Sequence, residues 1–296
     1  MNGKSDIYFE HGGCALAALP ENVRSAAYEL GTELTGIRIR PGKAAQLTYA
    51  GGDRLVGHID RQAFDKLVST LMGHSLYARE NELARGYFTL PDGSRVGVSG
   101  NYTASGPRSI SDIGAVNIRI AREIKGCADS VIEYVMKSYA TLIIAPPGAG
   151  KTTILRDIAR QLSEHEKNVC IIDERDELAA CINGMPALDV GPRTDVISGM
   201  TKHRAMIMAV RSLSPDVIIA DEIGDAKDAE AVNDALRCGV RVIVSAHGKS
   251  LDKRRMRPVV GRLAAEGAFD LGILLGTEKG RIAEIAAYGE RGVLDE

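Results

Sequence analysis

The sequence lacks a long apolar run, a cluster of cysteines and an excess of charge of either sign. No apolar stretch among its 296 residues approaches the roughly 20 residues that a membrane-spanning helix needs. The segment MNGKSDIYFEHGG contains no basic stretch followed by an apolar run, which is the pattern of a signal peptide. We therefore predict a cytoplasmic protein that reaches a membrane only through its partners.

The chain also lacks the spacings of several common catalytic and metal sites. Its five cysteines lie far apart, which argues against a disulfide framework and a structural zinc site and indicates a reducing compartment. Its six histidines show no HExxH spacing and no Gly-x-Ser-x-Gly stretch is present, so neither catalytic zinc nor a hydrolase triad is expected. A net charge of -2 and the lack of a stripe of aromatic and basic residues disfavour a dedicated nucleic-acid binder.

What is present is a globular composition, with 45% hydrophobic and 26% charged residues over a length that suits two domains. The first part alternates short helical and extended patterns: a helix, two strands with a Pro-Gly turn, a helix after Asp60, a hairpin with an Asp-Gly turn and a further strand. We predict that residues 1–126 form a smaller N-terminal α+β domain.

From about residue 127 the pattern changes to apolar runs that alternate with helical segments. The runs are TLIIA, NVCIID, DVIIAD and VRVIVSA. Fully apolar runs between helices predict a parallel sheet with right-handed crossovers, and FDLGILLG with RIAEIAAY predicts a closing antiparallel hairpin. We predict that residues 127–296 form an α/β domain.

The stretch APPGAGKTT has the order of strand, glycine-containing loop and helix that a Walker A phosphate-binding loop requires. In such a loop the backbone N–H groups and the helix N-terminus bind phosphate oxygens. Ala145 stands where the strict pattern has glycine, but it lies at the strand end, where a Cβ can be tolerated. The predicted nucleotide-binding residues are Pro147, Gly148, Ala149, Gly150, Lys151, Thr152 and Thr153.

The chemistry predicted at this loop is hydrolysis of ATP with Mg²⁺. Lys151 would hold the outer phosphates, and the Thr152 hydroxyl is suited to the metal. Downstream, the apolar strand in SPDVIIADE ends in Asp221, which can hold the metal, and Glu222, which can orient or deprotonate the attacking water. The alternative is that these two acids are simply a solvated strand end.

Two further strand ends carry candidate residues. The run VCIIDERDEL ends in four acids, Asp173, Glu174, Asp176 and Glu177. They form either a polar helix start, where acids are favoured, or a second set of carboxylates that face the same metal and water. The run VIVSAHG ends in Ser245 and His247, and the histidine can either sense the γ-phosphate at the carboxyl end of the sheet or cap a loop.

The order of these motifs resembles that of the secretion and pilus ATPases, a family of RecA-like hexameric motors. IIDERDEL is similar to their second acidic box, AVRSLSPDVIIADE to the segment with the catalytic glutamate, and SAHGKS to their T-x-H-x-x-S box. The resemblance implies a RecA-like P-loop core, Glu222 as the catalytic glutamate, and box positions at His247 and Ser250. The chain departs from the pattern at Gly224, where an arginine is usual, and in the Asp-Glu order of its acidic box.

The resemblance also implies that arginines complete each site across a subunit interface. The physical reason is that charge on the transferring phosphoryl group must be stabilised by a positioned cation. The foremost candidates are Arg193, in a Gly-Pro loop after the acidic box, and Arg211. The remaining candidates are Arg95, Arg108, Arg119, Arg122 and Arg204.

A narrower resemblance covers nearly the whole chain. The stretches DVGPRTDVISG, VRSLSPDVI and NIRIAREIKG look like those of the stage III sporulation protein AA family. This implies an ATPase of endospore-forming bacteria on the mother-cell side. It would power assembly of, or transport through, a membrane-embedded channel between mother cell and forespore. It also implies a homo-oligomer, a hexamer, that associates with the membrane through the channel proteins.

Two other functions stay open at this point. A nucleic-acid translocase would be stimulated by DNA or RNA, and an ATP-dependent assembly scaffold would turn over little. A small-molecule kinase has less support, because no segment resembles a substrate lid. The basic run KSLDKRRMRPVVGR is either a docking surface for an acidic partner or anionic membrane, or an exposed helix face.

Overall fold

The computed structural model describes residues 13–49, 51–73, 80–84, 86–102, 110–121, 124–182, 184–278 and 280–288. The chain divides into two units, Met1–Arg122 and Glu123–Glu296. Each unit has its own buried apolar core. Within the described ranges, none of the helices combines the length and the apolar character that crossing a bilayer requires.

The N-terminal unit is an antiparallel sheet with helices packed on it. Its strands are β1 Leu34–Ile39, β2 Lys43–Tyr49, β3 Gly52–Ile59, β4 Tyr87–Thr89, β5 Arg95–Tyr102 and β6 Ile110–Arg119, in the order β3-β2-β1-β6-β5-β4. Its helices are α1 Gly13–Ala18, α2 Glu21–Leu30, α3 Arg61–Leu71 and α4 Glu80–Leu83. Asp60 begins α3 as predicted, because its carboxylate accepts a hydrogen bond of 2.7 Å from the Ala63 N–H.

The sheet of the C-terminal unit is mostly parallel. Its strands are β7 Ala140–Ala145, β8 Val169–Asp173, β9 Thr194–Ser198, β10 Val217–Ala220, β11 Arg241–His247, β12 Leu271–Leu275 and β13 Ile282–Ala287. The order is β13-β12-β7-β11-β10-β8-β9, and only the β12–β13 pair is antiparallel among these strands. Strand β11 therefore lies between β7, which leads into the phosphate loop, and β10, which leads into the Asp-Glu pair.

Helices cover both faces of this sheet. They are α5 Ile132–Lys137, α6 Lys151–Glu164, α7 Lys202–Ser212, α8 Ala226–Arg237 and α9 Pro258–Ala265. Side chains of β7 alternate between the two cores: Ile143 packs with α5 and α6, while Leu142 packs with α7, α8 and α9. This alternation explains why the strand is buried at every position. The carboxyl ends of the parallel strands meet at one edge of the sheet, which carries the candidate residues.

Several elements were not foreseen from the sequence: helices α1 and α4 and strands β3 and β9. The Gly-Pro loop around Arg193 is found at residues 191–193 and runs directly into β9. The acidic run after β8 does not begin a helix: residues 174–180 form turns and bends. The helix-start interpretation of those acids was wrong.

Candidate nucleotide-binding site

The phosphate loop, residues 146–150, joins β7 to α6 and is shaped by two glycines. Gly148 has φ 76° and Gly150 has φ 99°, a left-handed backbone that residues with a Cβ adopt only at a cost. Gly150 is also the N-cap of α6, so the backbone turns at the point where the first helical N–H groups become available for an anion. Ala145 is the last residue of β7 and its side chain is buried in the sheet core, so its Cβ lies away from the loop.

Lys151, the first residue of α6, is buried beside the carboxyl end of β11. Its Nζ lies 2.9 Å from Nδ1 of His247. Because an ammonium only donates hydrogen bonds, we assign Nδ1 as the acceptor, which places the imidazole proton on Nε2. That Nε2 lies 3.3 Å from Oε1 of Glu222. Lysine, histidine and glutamate thus form a continuous chain across the site.

The charge state of Lys151 reflects several neighbours. Burial lowers the pKa of its ammonium, the carboxylates of Asp221 and Glu222 oppose that shift, and the positive charge of Arg257 lowers the pKa further.

Thr152 and Asp221 form the pair expected at a metal. The Thr152 hydroxyl donates to Oδ2 of Asp221 at 3.1 Å. Both are oxygen ligands of the kind that Mg²⁺ prefers, and Mg²⁺ takes few protein ligands beside phosphate and water. Among the described residues no group of three or more His, Cys, Asp or Glu side chains could hold a metal by itself, so phosphate and water oxygens would complete the shell. The residues present therefore fit Mg²⁺ bound together with a nucleotide.

Ser245 holds both acids of the Asp-Glu pair. Its hydroxyl donates to Oδ1 of Asp221 and accepts a hydrogen bond of 3.0 Å from the backbone N–H of Glu222. This is possible because β10 and β11 are parallel neighbours whose carboxyl ends meet. The sequence placed Ser245 at this edge without giving it a role.

Glu222 adopts an unusual backbone and faces three nitrogen-bearing side chains. Its φ is 47°, in the left-handed region, which costs a residue other than glycine about 1–3 kcal/mol. Oε1 faces His247 and, at 4.0 Å, Nη1 of Arg257, and Oε2 faces Nη1 of Arg175 at 3.8 Å. Such strain is found most often where the position of a side chain matters for function.

The acidic residues after β8 have different partners. The Asp173 carboxylate accepts backbone hydrogen bonds from Glu177, Leu178 and Ala179 at 2.8–2.9 Å, and so shapes the loop. Burial raises the pKa of Asp173, while these three N–H groups oppose the shift. Glu174 instead forms a 2.6 Å ion pair with Lys202.

A small cleft joins this run to the Asp-Glu pair. It is lined by Ile172, Asp173, Glu174, Arg175, Glu177, Lys202, Asp221 and Glu222. The structure therefore brings Glu174 and Glu177 to the same cleft as the proposed metal and water residues, as the second interpretation of the acidic run expects.

The structure does not bring the foremost arginine candidates to this cleft within one chain. Arg193 donates to the Glu166 carbonyl at 3.2 Å, beyond the far end of α6, which is about 20 Å from the phosphate loop by helix length. Arg211 lies exposed in the last turn of α7, about 14 Å along the axis from Lys202 in the cleft. Arg95 stacks on the Tyr87 ring in the N-terminal unit, and Arg108 and Arg122 lie outside the described residues.

Three cationic residues at the cleft were missed by sequence reasoning. Arg175 lies inside the acidic run, Lys202 begins α7, and Arg257 belongs to the basic run before α9. Arg175 could have been noticed in the sequence, because it is the single basic residue among the acids of DERDEL. Lys202 and Arg257 could not, because nothing in their spacing along the sequence relates them to these acids.

Solved structures with the same fold include an ATPase and a pilus retraction motor. The Legionella pneumophila ATPase DotB is 17% identical, with a TM-score of 0.60, over 90% of this chain and 80% of that chain. The pilus retraction motor PilT with bound ADP is also 17% identical, with a TM-score of 0.56, over 85% of this chain and 76% of that chain. The prediction of a RecA-like α/β core with a smaller N-terminal α+β domain is thereby confirmed at the level of the fold.

Sequence comparison identifies the family. The family model described as "Sporulation stage III, protein AA" matches residues 24–294. "Stage III sporulation protein AA" of Bacillus subtilis (strain 168) is 39% identical over 88% of this chain and 90% of its own length. The narrower resemblance read from the motifs is confirmed: the chain belongs to the stage III sporulation protein AA family.

Proposed function

We propose that this protein is a Mg²⁺-dependent ATPase. The observation that carries the proposal is the meeting of Lys151, Thr152, Asp221, Glu222 and His247 at the carboxyl edge of one parallel sheet. The fold likeness to secretion ATPases supports it, and so does the ADP bound to PilT, which places a nucleotide in a protein of this fold.

Lys151 would bind the outer phosphates of ATP after releasing His247. The phosphates would also accept hydrogen bonds from the backbone N–H groups of the loop and of the first turn of α6. Thr152 and Asp221 would hold Mg²⁺, which supplies positive charge that neutralises phosphate oxygens. The hydroxyl of Ser245 keeps Asp221 in place, because it occupies Oδ1 and leaves Oδ2 directed at Thr152.

Glu222 would orient the attacking water and accept its proton. A positioned general base of this kind contributes about 10²–10⁴-fold to the rate. Nε2 of His247 faces Oε1 of Glu222 at 3.3 Å and would help to position the carboxylate, while the hydroxyl of Ser245 accepts a hydrogen bond from the backbone N–H of the same residue. Glu174 and Glu177, on the other side of the cleft, remain candidates for a supporting role in placing the metal-bound or attacking water.

We further infer a biological setting from family membership. One relative carries the name of a sporulation protein, and the solved structures with this fold include those of an ATPase and a pilus retraction motor. We propose that the chain forms a ring-like homo-oligomer, a hexamer, on the mother-cell side and acts on a membrane-embedded channel during endospore formation. Arg193 and Arg211 lie away from the cleft of their own chain, so any catalytic role for them would be at the site of a neighbouring subunit.

The test is phosphate release from ATP across a range of protein concentrations for wild type, Lys151→Ala and Glu222→Gln. We expect a rate per protomer that rises with concentration, since sites would be completed between subunits, and that falls by at least about 10²-fold in both variants. Glu164→Gln, on the exposed far end of α6, is the matched control and should retain the wild-type rate.

Two results would redirect the proposal. Tight ATP binding with background turnover at every concentration, even with the channel proteins added, would favour the assembly scaffold. Stimulation of turnover by DNA or RNA that weakens steeply with salt would favour the translocase.

A further inference from the structure

The proposed reaction needs a cation near the terminal phosphate besides Lys151 and Mg²⁺. Charge that develops on the transferring phosphoryl group is stabilised by positioned cations. Arg193 and Arg211, the foremost candidates from the sequence, lie away from Glu222. Two other arginines lie beside it: Nη1 of Arg257 is 4.0 Å from Oε1 of Glu222, and Nη1 of Arg175 is 3.8 Å from Oε2.

Arg257 is the better placed of the two for a phosphate. Its Nη1 faces Oε1 of Glu222, the same oxygen that faces Nε2 of His247, and Nδ1 of that histidine is the partner of Lys151. Arg175 faces the other carboxylate oxygen, Oε2. Arg257 is therefore connected to the phosphate loop through His247 and Lys151.

Arg257 is held loosely enough to change partners. A separation of 4.0 Å exceeds hydrogen-bond distance, and the side chain is 54% exposed, so the pair with Glu222 is a weak, solvated contact. The residue stands immediately before Pro258, which begins α9, so its backbone is fixed while its side chain is free to swing. A guanidinium offers a planar fork that matches two phosphate oxygens.

We propose that Arg257 is a catalytic residue that binds the terminal phosphate of ATP in its own chain and leaves Glu222 when it does so. The inference rests on the proposed ATPase function and adds a cation that acts without a neighbouring subunit. Once the terminal phosphate has left, Arg257 returns to Glu222.

The test compares binding of ADP with binding of a non-hydrolysable ATP analogue, both with Mg²⁺, by isothermal titration calorimetry. Because only the analogue carries the terminal phosphate, Arg257→Ala should weaken its binding about 10- to 100-fold and change ADP binding by no more than about twofold. Turnover of ATP should fall by about 10²-fold or more. Arg257→Lys, which keeps the charge but not the fork, should lie in between.

Arg254→Ala is the matched control, since Arg254 is an exposed arginine of the same basic run, in the one-turn helix Lys253–Arg255. It should bind both nucleotides as the wild type does. A second measurement uses the unmutated protein, so that a folding defect of the Arg257→Ala variant cannot affect it. The analogue, but not ADP, should protect Arg257 from modification by phenylglyoxal, as detected by mass spectrometry.

The outcomes separate this inference from the ATPase proposal itself. If the wild type binds neither nucleotide, the proposed function fails. If it binds both in a manner that depends on Lys151 while Arg257→Ala loses nothing, or loses ADP and the analogue equally, the role of Arg257 is overturned and the proposed function stands. Protection of Arg257 by ADP alone would also overturn it.

Discussion

Ser245 links two functional acids through one hydroxyl, and its removal should impair turnover more than binding. Ser245→Ala leaves Oδ1 of Asp221 without its donor and the backbone N–H of Glu222 without its acceptor. Losing these hydrogen bonds costs about 1–3 kcal/mol of the free energy that holds the two acids in position. We expect kcat for ATP hydrolysis to fall about 10- to 100-fold with little change in ADP affinity. The control is Ser198→Ala, an exposed serine at the end of β9. A raised KM with unchanged kcat would contradict the positioning role.

Asp157 on α6 should stabilise the fold at neutral pH and not at strongly acidic pH. Burial would raise its pKa, but hydrogen bonds from the Ala128 N–H, Arg160 and Gln161 outweigh that effect and hold the pKa below the ordinary value of 3.8. A lowered pKa means that the charged form stabilises the folded state above pH 3.8, and that this contribution is lost as the pH falls through the folded-state value.

Urea unfolding of Asp157→Asn tests this, with an expected loss of roughly 1–3 kcal/mol that stays constant from pH 8 to about pH 5. The loss should shrink only below about pH 4. Glu164→Gln removes an exposed partner of the same Arg160 and should cost less than about 0.5 kcal/mol. A loss that disappears already near pH 6 would show that another group is responsible.

The sequence predicted the candidate residues that belong to motifs and missed the cationic residues that only the fold brings next to them. Lys151 and Glu222 could be predicted because the phosphate loop and the Asp-Glu pair have fixed spacings relative to strand ends. Arg175 and Arg257 could not, because they approach Glu222 from loops after two different strands, β8 and β11. Only the strand order puts those loops on either side of Glu222.

Among the elements, central strands could be predicted from the sequence more readily than edge strands. Strands β7, β8 and β10 are buried at every position, and their continuous apolar runs gave an unambiguous signal. Strands β3 and β9 each lie at the edge of a sheet; β3 is largely exposed and β9 has a single buried residue, so they offered little apolar pattern to detect. The edge strands β4 and β13 were predicted only because turn residues connect each of them to a neighbouring strand in a hairpin.

Strand β5 should depend on Gly100 for its pairing with β6. The pairing register shifts between Ser99 and Gly100, and a Cβ added at Gly100 would lie 1.7 Å from the Asp112 carbonyl oxygen. Gly100→Ala must therefore break the local pairing, and we expect a loss of about 2–4 kcal/mol in the N-terminal unit. Gly97→Ala in the same strand meets its nearest atom at 3.7 Å and should be neutral or slightly stabilising. Equal effects of the two changes in urea unfolding would contradict the bulge argument.

At the scale of the whole molecule, the division into two units rests on separate cores. The buried residues of the N-terminal unit form one cluster, and those of the C-terminal unit form two clusters, one on each face of the parallel sheet. The sequence placed the boundary at residue 126, where the pattern of short strands gives way to long apolar runs, and the contacts divide at Arg122. All candidate nucleotide residues lie in the second unit.

Nucleotide should therefore stabilise one unit and not the other in scanning calorimetry of the full chain. A ligand at 100 times its Kd adds about 2.7 kcal/mol to the state that binds it. For a unit of this size each kcal/mol raises Tm by about 2–4 °C, so ADP with Mg²⁺ should raise one transition by roughly 5–10 °C. Gly100→Ala should lower the other transition, and Lys151→Ala should abolish the shift. A single transition whose Tm rises with ADP would contradict this, because it would mean that the two cores unfold together. Nucleotide binding would then stabilise the N-terminal unit as well, through the shared unfolding equilibrium.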